Sequence, residues 1–216
     1  MSEVTLHLGD CLDILPTLEA GSVDAVITDP PYNVGKDYGT YKDNLSDDEY
    51  ELFMRTMIIE CRRISNDNIV IYVGGKLTKQ FFELIPDAHL IVVHKRAVGI
   101  MSGNYILQYH SLFSTIKPLK KTKDIWDDVR LPGEGYFYRE QRYDHPGQTS
   151  CILTKKIINT FVGGDTILDP FMGSGTTGVA CVKTNRNFIG VEIEPKYYDI
   201  AERRIKEAQM QLVMDL

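Results

Sequence analysis

The stretch DTILDPFMGSGTTGVAC, residues 165–181, ends an apolar run in Asp169-Pro170 and then opens a glycine-rich turn, Gly173-Ser174-Gly175. The residues from Thr176 onward predict a helix. Glycines at such a turn let the backbone approach a ligand closely, and the first turn of the helix offers unpaired N–H groups. The next apolar run, NFIGVEI at 187–193, ends in Glu192. A carboxylate there can accept hydrogen bonds from both hydroxyls of a ribose. Strand, glycine turn, helix, strand and acid together predict a nucleoside site at the C-terminal ends of a doubly wound sheet. Gly178 completes the spacing G-x-G-x-x-G, so spacing alone leaves a dinucleotide enzyme open.

A second run ends the same way. In SVDAVITDPPYNVG, residues 22–35, the apolar stretch 23–28 gives way to Asp29-Pro30-Pro31-Tyr32. Two prolines remove two backbone donors, fix φ twice and hold Asp29 extended. A carboxylate, a stiff backbone and an aromatic ring are thereby gathered at a strand end. Ligands of open α/β sheets sit outside the C-terminal strand ends. If the two Asp-Pro strands are neighbours, both motifs face one crevice.

Further short apolar runs lie at 4–8, 68–73 and 89–93, with helical patterns between several of them. Residues 46–64 begin with a capping box, Ser46 and Glu49, and carry Leu52, Phe53, Met57 and Ile64 on an apolar spacing. Residues 195–212 open on Pro195, with Ile205, Ala208 and Leu212 at helical spacing. Alternating strands and helices predict an α/β fold: a single domain over 1–216 with a doubly wound, mostly parallel sheet. The glycine- and proline-containing segment 95–148 breaks the rhythm and is expected to be an insertion or an elaborated edge. Within it, 106–116 is expected to hold one or two strands. The polar stretch 33–45 is expected to be a mobile loop beside the site.

Composition narrows the class. The 216 residues are 43% hydrophobic and 25% charged, as in an ordinary globular protein. No run approaches the ~20 apolar residues of a membrane span, and no signal-peptide pattern opens the chain. The four cysteines and five histidines show no metal-ligand spacing, so a cytoplasmic protein with reduced thiols and no metal is expected. The net charge of −6 is unevenly spread: residues 94–156 hold 11 basic and 6 acidic side chains, against 7 and 16 in residues 1–93. That excess is either a solvated face or a phosphate-contacting surface.

The two motifs, in this order, carry a family resemblance. The chain resembles the β-class amino methyltransferases of DNA, in which Asp-Pro-Pro-Tyr precedes Phe-x-Gly-x-Gly. Here these are residues 29–32 and Phe171-Met172-Gly173-Ser174-Gly175. LGDCLDIL (8–15), DIWDDVR (124–130), HPGQTS (145–150) and GVEIEPKYYDIAERR (190–204) resemble further family segments, so the likeness spans about residues 4–206. Thr149-Ser150 stand where the family has Lys-Pro. The resemblance implies a Rossmann-like fold in circularly permuted order with a short target-recognition segment, at most 95–144.

It also implies methyl transfer from S-adenosylmethionine, leaving S-adenosylhomocysteine, to N6 of a flipped-out adenine in DNA. N4 of cytosine is the runner-up; a non-catalytic nucleic-acid-binding module is the reading from another class. Asp29 and the Pro30 carbonyl would accept from the target amine, Pro31 would hold that carbonyl, and Tyr32 would face the base. Asp10 and Cys11, Asp29, Asp169, Pro170, Phe171, Gly173 to Thr177 (with Ser174, Gly175 and Thr176 between), Glu192, Ile193, His145 and Gln148 are the implied cofactor residues. Asn33, Lys36, Lys95, Arg96, Lys117, Lys120, Lys121 and Lys123 are candidates for the DNA side. Family relatives often dimerise, and a short recognition segment is compatible with a homodimer.

Overall fold

A computed structural model describes residues 2–74, 77–94, 100–102, 105–107, 109–126, 143 and 148–214. Its elements in chain order are β1 (Val4–Leu8), α1 (Cys11–Ile14), β2 (Ala25–Thr28), β3 (Asp37–Tyr38), β4 (Tyr41–Lys42), α2 (Asp47–Ser65), β5 (Ile69–Val73), α3 (Thr78–Leu84) and β6 (His89–His94). There follow β7 (Ile100–Ser102), β8 (Tyr105–Leu107), β9 (Tyr109–Ser114), β10 (Ile125–Trp126), α4 (Cys151–Phe161), β11 (Thr166–Asp169), α5 (Thr176–Lys183), β12 (Asn187–Glu192) and α6 (Pro195–Met214).

Eight strands form one sheet in the order β1-β12-β11-β2-β5-β9-β6-β10. Every pairing is parallel except those of β9, which runs antiparallel between β5 and β6. The sheet is therefore mixed and mostly parallel, in an α/β fold. Residues 109–114, expected within an insertion, are instead an integral strand of this sheet. Their six-residue pattern is too short to separate a central strand from an elaborated edge by periodicity.

Successive strand residues face opposite layers, as the pleat requires. Ala25, Ile27, Val70, Tyr72 and Ile167 pack with α4, α5 and α6 through Leu153, Ile157, Val179 and Ile205. Val26, Ile69, Ile71 and Leu168 pack with α2 and α3 through Met54, Met57, Ile64 and Phe81. Each such side chain fully buried contributes roughly 1.5–3 kcal/mol, so helices on both faces are held by apolar contact rather than by their own propensity.

α2 starts where the sequence places it: the Ser46 hydroxyl accepts from Glu49 N, and the Glu49 carboxylate accepts from Ser46 N at 2.9 Å. It ends at Asn66, whose φ of 50° lies in the left-handed region that asparagine tolerates. Two spacing assignments fail at the helix surface. Leu52 is 67% exposed because it lies on the face of α2 opposite the buried Tyr50, Met54, Met57 and Cys61, and Leu212 is 40% exposed because it follows Ala208, the last buried position of α6.

β11 and β2 are direct neighbours, with Ile167 opposite Ala25. From β11 the chain passes through α5 to β12 on one side; from β2 it passes through α2 to β5 on the other. The sheet thus reverses its winding between these two strands, and a crevice opens there at their C-terminal ends. The Thr28 hydroxyl donates to Asp169 Oδ1 at 2.8 Å and ties the two strand tips together.

The basic stretch lies elsewhere. β9 descends the sheet, and Thr115 N donates to the Ile69 carbonyl at the start of β5. Leu119 N then donates to the Thr160 carbonyl, at the far end of α4. Lys117, Lys120 and Lys121 are exposed at that N-terminal edge, and Lys123 on the climb back to β10, opposite the crevice. Lys95, Arg96 and His145, and most of 95–144, lie outside the described residues.

Candidate active site

The crevice between β2 and β11 is a concave space partly open to solvent. Asp29, Pro30, Pro31 and Tyr32 form one wall. Pro170, Phe171, Gly173, Glu192 and Ile193 form the facing wall, and Asp10 and Cys11 close one end. The two motifs, more than 130 residues apart in the chain, thus line one cavity. A smaller adjoining cavity of about 290 Å³ is bounded by Asp29, Gln148, Ser174 and Thr176, among others. Gly175 and Thr177, read from sequence as direct ligands, line neither cavity.

Their roles are architectural. Gly175 has φ 81° and caps α5; a Cβ there would sit 2.8 Å from the Cα of Ala201. The Thr177 hydroxyl donates to Asp169 Oδ2 at 2.6 Å. Asp169 is 3% exposed and also accepts from Thr28 and from Phe171 N. Burial pushes its carboxyl up to about 6 despite those donors. Gly178 lets α5 settle on Phe188, whose ring would lie 2.8 Å from an added Cβ, so the third glycine serves helix packing.

The Glu192 carboxylate accepts from Gly173 N and from Glu194 N, both at 2.9 Å. It braces the glycine turn while lining the cavity, and burial raises its pKa. Asp10 caps α1 by accepting from Leu12 N at 2.8 Å. The Cys11 thiol is buried beside it, and desolvation raises its pKa well above that of a free thiol, so it is not a thiolate nucleophile.

Asp29 is the most perturbed acid facing the cavity. Desolvation raises its carboxyl to about 7, the nearby Asp169 adds to this, and the Tyr32 hydroxyl and the Lys36 ammonium act against it. Tyr32 donates directly to Asp29 Oδ1, so the tyrosine occupies the acceptor that the sequence reading reserves for a substrate amine. Its ring rests on Gly74 at the end of β5, where a Cβ would come within 3.2 Å.

Several residues escaped the sequence reading. The Tyr50 hydroxyl, on α2, donates to the Pro31 carbonyl at 2.8 Å and is buried. Asp43 is 2% exposed and accepts from Asn33 N, Val34 N and Lys36 N at 2.7–3.0 Å. Asn33 is tied to Leu45 through both ends of its amide. The stretch expected to be a mobile loop is therefore a tethered ribbon, β3–β4, with Lys36, Tyr38 and Tyr41 lining the cavity. Its tip reaches across to α6: Thr40 N and Oγ1 donate to Glu194 Oε2 at 2.9 and 2.7 Å. The capping signal of Asp43 was invisible because its partners are backbone groups set by the fold.

Beneath the glycine turn, Arg204 donates to the Ser174 carbonyl and to Ser174 Oγ. Its guanidinium lies 4.2 Å from the centroid of the Tyr143 ring. Tyr143 N in turn donates to Gln148 Oε1 at 2.9 Å, which ties the glutamine to this strap.

Comparison with known proteins agrees with this arrangement. A family model described as DNA methylase matches residues 23–108 and 108–203. Type II methyltransferase M.HpaI of Haemophilus parainfluenzae is 28% identical over 93% of this chain and 73% of its own. DNA adenine methyltransferase YhdJ of Escherichia coli is 26% identical over 94% and 83%. Among solved structures, the M1.HpyAVI–SAM complex superposes with a TM-score of 0.68 at 25% identity, covering 94% of this chain and 98% of that one. The cytosine-N4-specific PvuII DNA methyltransferase shares the fold, with a TM-score of 0.71 at 16% identity over 98% and 93%. With Asp-Pro-Pro-Tyr and the Phe-x-Gly-x-Gly turn facing each other across one crevice, and the model matching most of its length, the chain belongs to the N6/N4 DNA methylase family.

Proposed function

We propose that this protein transfers a methyl group from S-adenosylmethionine to the N6 amine of an adenine turned out of duplex DNA. The observation that carries the reading is the shared cavity: Asp29 and Pro30 at the tip of β2 face the glycine turn and Glu192 across it. The residues fit the cofactor. Glu192 offers carboxylate lone pairs to a ribose, Phe171 and Asp10 bound the space for its base, and Gly173 and Ser174 border the adjoining cavity for its amino-acid tail. When bound, the cofactor supplies an activated methyl group on a sulfonium.

The chain's own work is positioning. An exocyclic amine is a poor nucleophile because its lone pair is delocalised into the ring. Acceptors on both N–H bonds, Asp29 and the Pro30 carbonyl, turn that lone pair toward the methyl group. Pro31 and Tyr50 stiffen the backbone that presents them. Tyr32 must leave Asp29 for the amine to enter, and its ring then faces the base. Asp29 accepts most strongly when ionised, and a nearby sulfonium cation favours that form.

N4 of cytosine is the second reading, since both bases carry an exocyclic amine and the acceptor pair reads only that. Lys36, beside Asp29, is the one candidate DNA contact that lines the cavity among the described residues. The test is transfer of tritium from labelled S-adenosylmethionine to unmethylated genomic DNA, followed by nucleoside separation. Label in N6-methyladenosine supports the lead reading, and label in N4-methylcytidine overturns the base assignment. No transfer by a protein that still binds DNA returns the reading to a binding module.

A further inference from the structure

The smaller cavity beside the glycine turn is lined by Ser174 and Thr176, and among the described residues neither hydroxyl gives its own proton to an acceptor. Each instead accepts from one buried guanidinium beneath the turn. Arg204 Nη1 lies 3.0 Å from Ser174 Oγ and 3.4 Å from Thr176 Oγ1, and it also donates to the Ser174 carbonyl. A hydroxyl carries one proton and two lone pairs. With a lone pair taken by a cation, the proton is left for another partner and becomes a stronger donor. The Ser174 and Thr176 amides likewise have no acceptor among the described residues, and they stand at the start of α5, where a helix favours negative charge. No described residue lining this cavity is basic. Arg204, 8% exposed, holds its charge one layer behind the wall.

We propose that Arg204 is a positioning residue for a carboxylate in this cavity, the one on the methyl donor's amino-acid end: it turns the Ser174 and Thr176 hydroxyls into donors and supplies the positive charge behind them. This rests on the methyl-donor reading above. Arg204 touches no ligand itself. It acts through the two hydroxyls and through a second wall of the same cavity, because its guanidinium lies against the Tyr143 ring and Tyr143 N donates to Gln148, which also lines the space. One buried cation thus sets both the glycine turn and the glutamine. Asp29 and Asp169 border this cavity as well. A simple anion meets two carboxylates there, whereas an α-amino-acid end, with ammonium and carboxylate together, meets a partner for each.

The test is isothermal titration of S-adenosylhomocysteine and of its decarboxylated analogue into the wild-type protein, Arg204→Met, Arg204→Lys, Ser174→Ala and the double variant Arg204→Met/Ser174→Ala. Wild type is expected to bind S-adenosylhomocysteine the more tightly. Arg204→Met should weaken it about ten- to thirtyfold while changing the analogue by less than about threefold. Arg204→Lys, which keeps the charge, should recover part of that loss. Ser174→Ala removes one small hydroxyl and leaves the guanidinium in place; it should cost about three- to tenfold, again for S-adenosylhomocysteine alone, and less than additively in the double variant. Equal loss of both ligands in Arg204→Met and Ser174→Ala marks a merely structural turn and overturns the proposal, as does unchanged binding in either variant. A lysine variant as weak as the methionine one overturns the role of the charge, and a wild type that binds both ligands alike overturns the carboxylate site. A wild-type protein that binds neither ligand overturns the methyl-donor reading itself, a result distinct from all of these.

Discussion

Replacing Asp29 by asparagine tests the electrostatics of the site through stability, independently of turnover. Its folded pKa of about 7, against about 4 for a solvated aspartate, means that folding desolvates a charge. In the window between those values the unfolded chain is ionised while the folded one keeps its proton, so stability falls as pH rises. Above about 7 the cost reaches a ceiling of about 4 kcal/mol, at 1.36 kcal/mol for each pH unit between them. Asp29 is only partly buried and meets solvent through the crevice, which reduces that ceiling to about 2 kcal/mol. Asparagine keeps an oxygen for Tyr32 and removes the charge. Asp29→Asn is therefore expected to raise the melting temperature of ligand-free protein at pH 8 by about 4–8 °C, at roughly 2–4 °C per kcal/mol for a chain of this size. At pH 5 the gain should shrink to about 1 kcal/mol or less. Thermal melts at both pH values, read by circular dichroism, give the answer. A variant that is no more stable at pH 8, or equally stabilised at both, would refute the desolvation argument. The same variant should lose methyl transfer while holding the cofactor.

Three further outcomes follow from the same geometry. kcat/KM for the methyl donor should fall as pH drops through about 7, since ionised Asp29 is the stronger acceptor; Tyr32→Phe removes a donor that favours the carboxylate and should move that midpoint upward in a pH–rate profile. Tyr50→Phe frees the Pro31 carbonyl and should lower kcat by about three- to thirtyfold, with cofactor affinity within twofold of wild type by titration. Asp43→Ala leaves three backbone donors of the 33–36 turn without their carboxylate. It should cost about 2–4 kcal/mol in urea unfolding, with loss of transfer.

The sheet was legible where strands read as short continuous apolar runs: all six expected runs became β1, β2, β5, β6, β11 and β12 within two residues at either end. The capping box of α2 and the proline start of α6 also held, because both signals are local. β9 was not legible as a central strand, since its neighbours β5 and β6 lie 15 or more residues away and pairing leaves no mark in six residues. That Asp29, Phe171 and Glu192 meet in one crevice was legible because each sits at or just past a strand end. Tyr41, Tyr50 and Phe53 were not. Each sits in a segment that reads as an ordinary loop or helix, and only folding brings it against the Asp-Pro-Pro-Tyr wall or the glycine turn. The position of the lysines at 117–123 was not legible either: charge counts give a sign but not a side of the sheet.

The strand order carries a consequence for how the chain is made. β1 and β2 are separated in the sheet by β11 and β12, which come from the last quarter of the sequence. Until the ribosome has released that quarter, β1 has no partner strand and β2 pairs on one side only, with β5. The emerging polypeptide therefore presents two bare β edges for most of its synthesis, a state that invites association between neighbouring nascent chains. Central strands supplied last also make closure of the sheet a late, long-range event, and such topologies fold slowly. A copy cut short before residue 165 has no route to a closed sheet, so premature termination should yield chaperone substrates rather than a stable fragment.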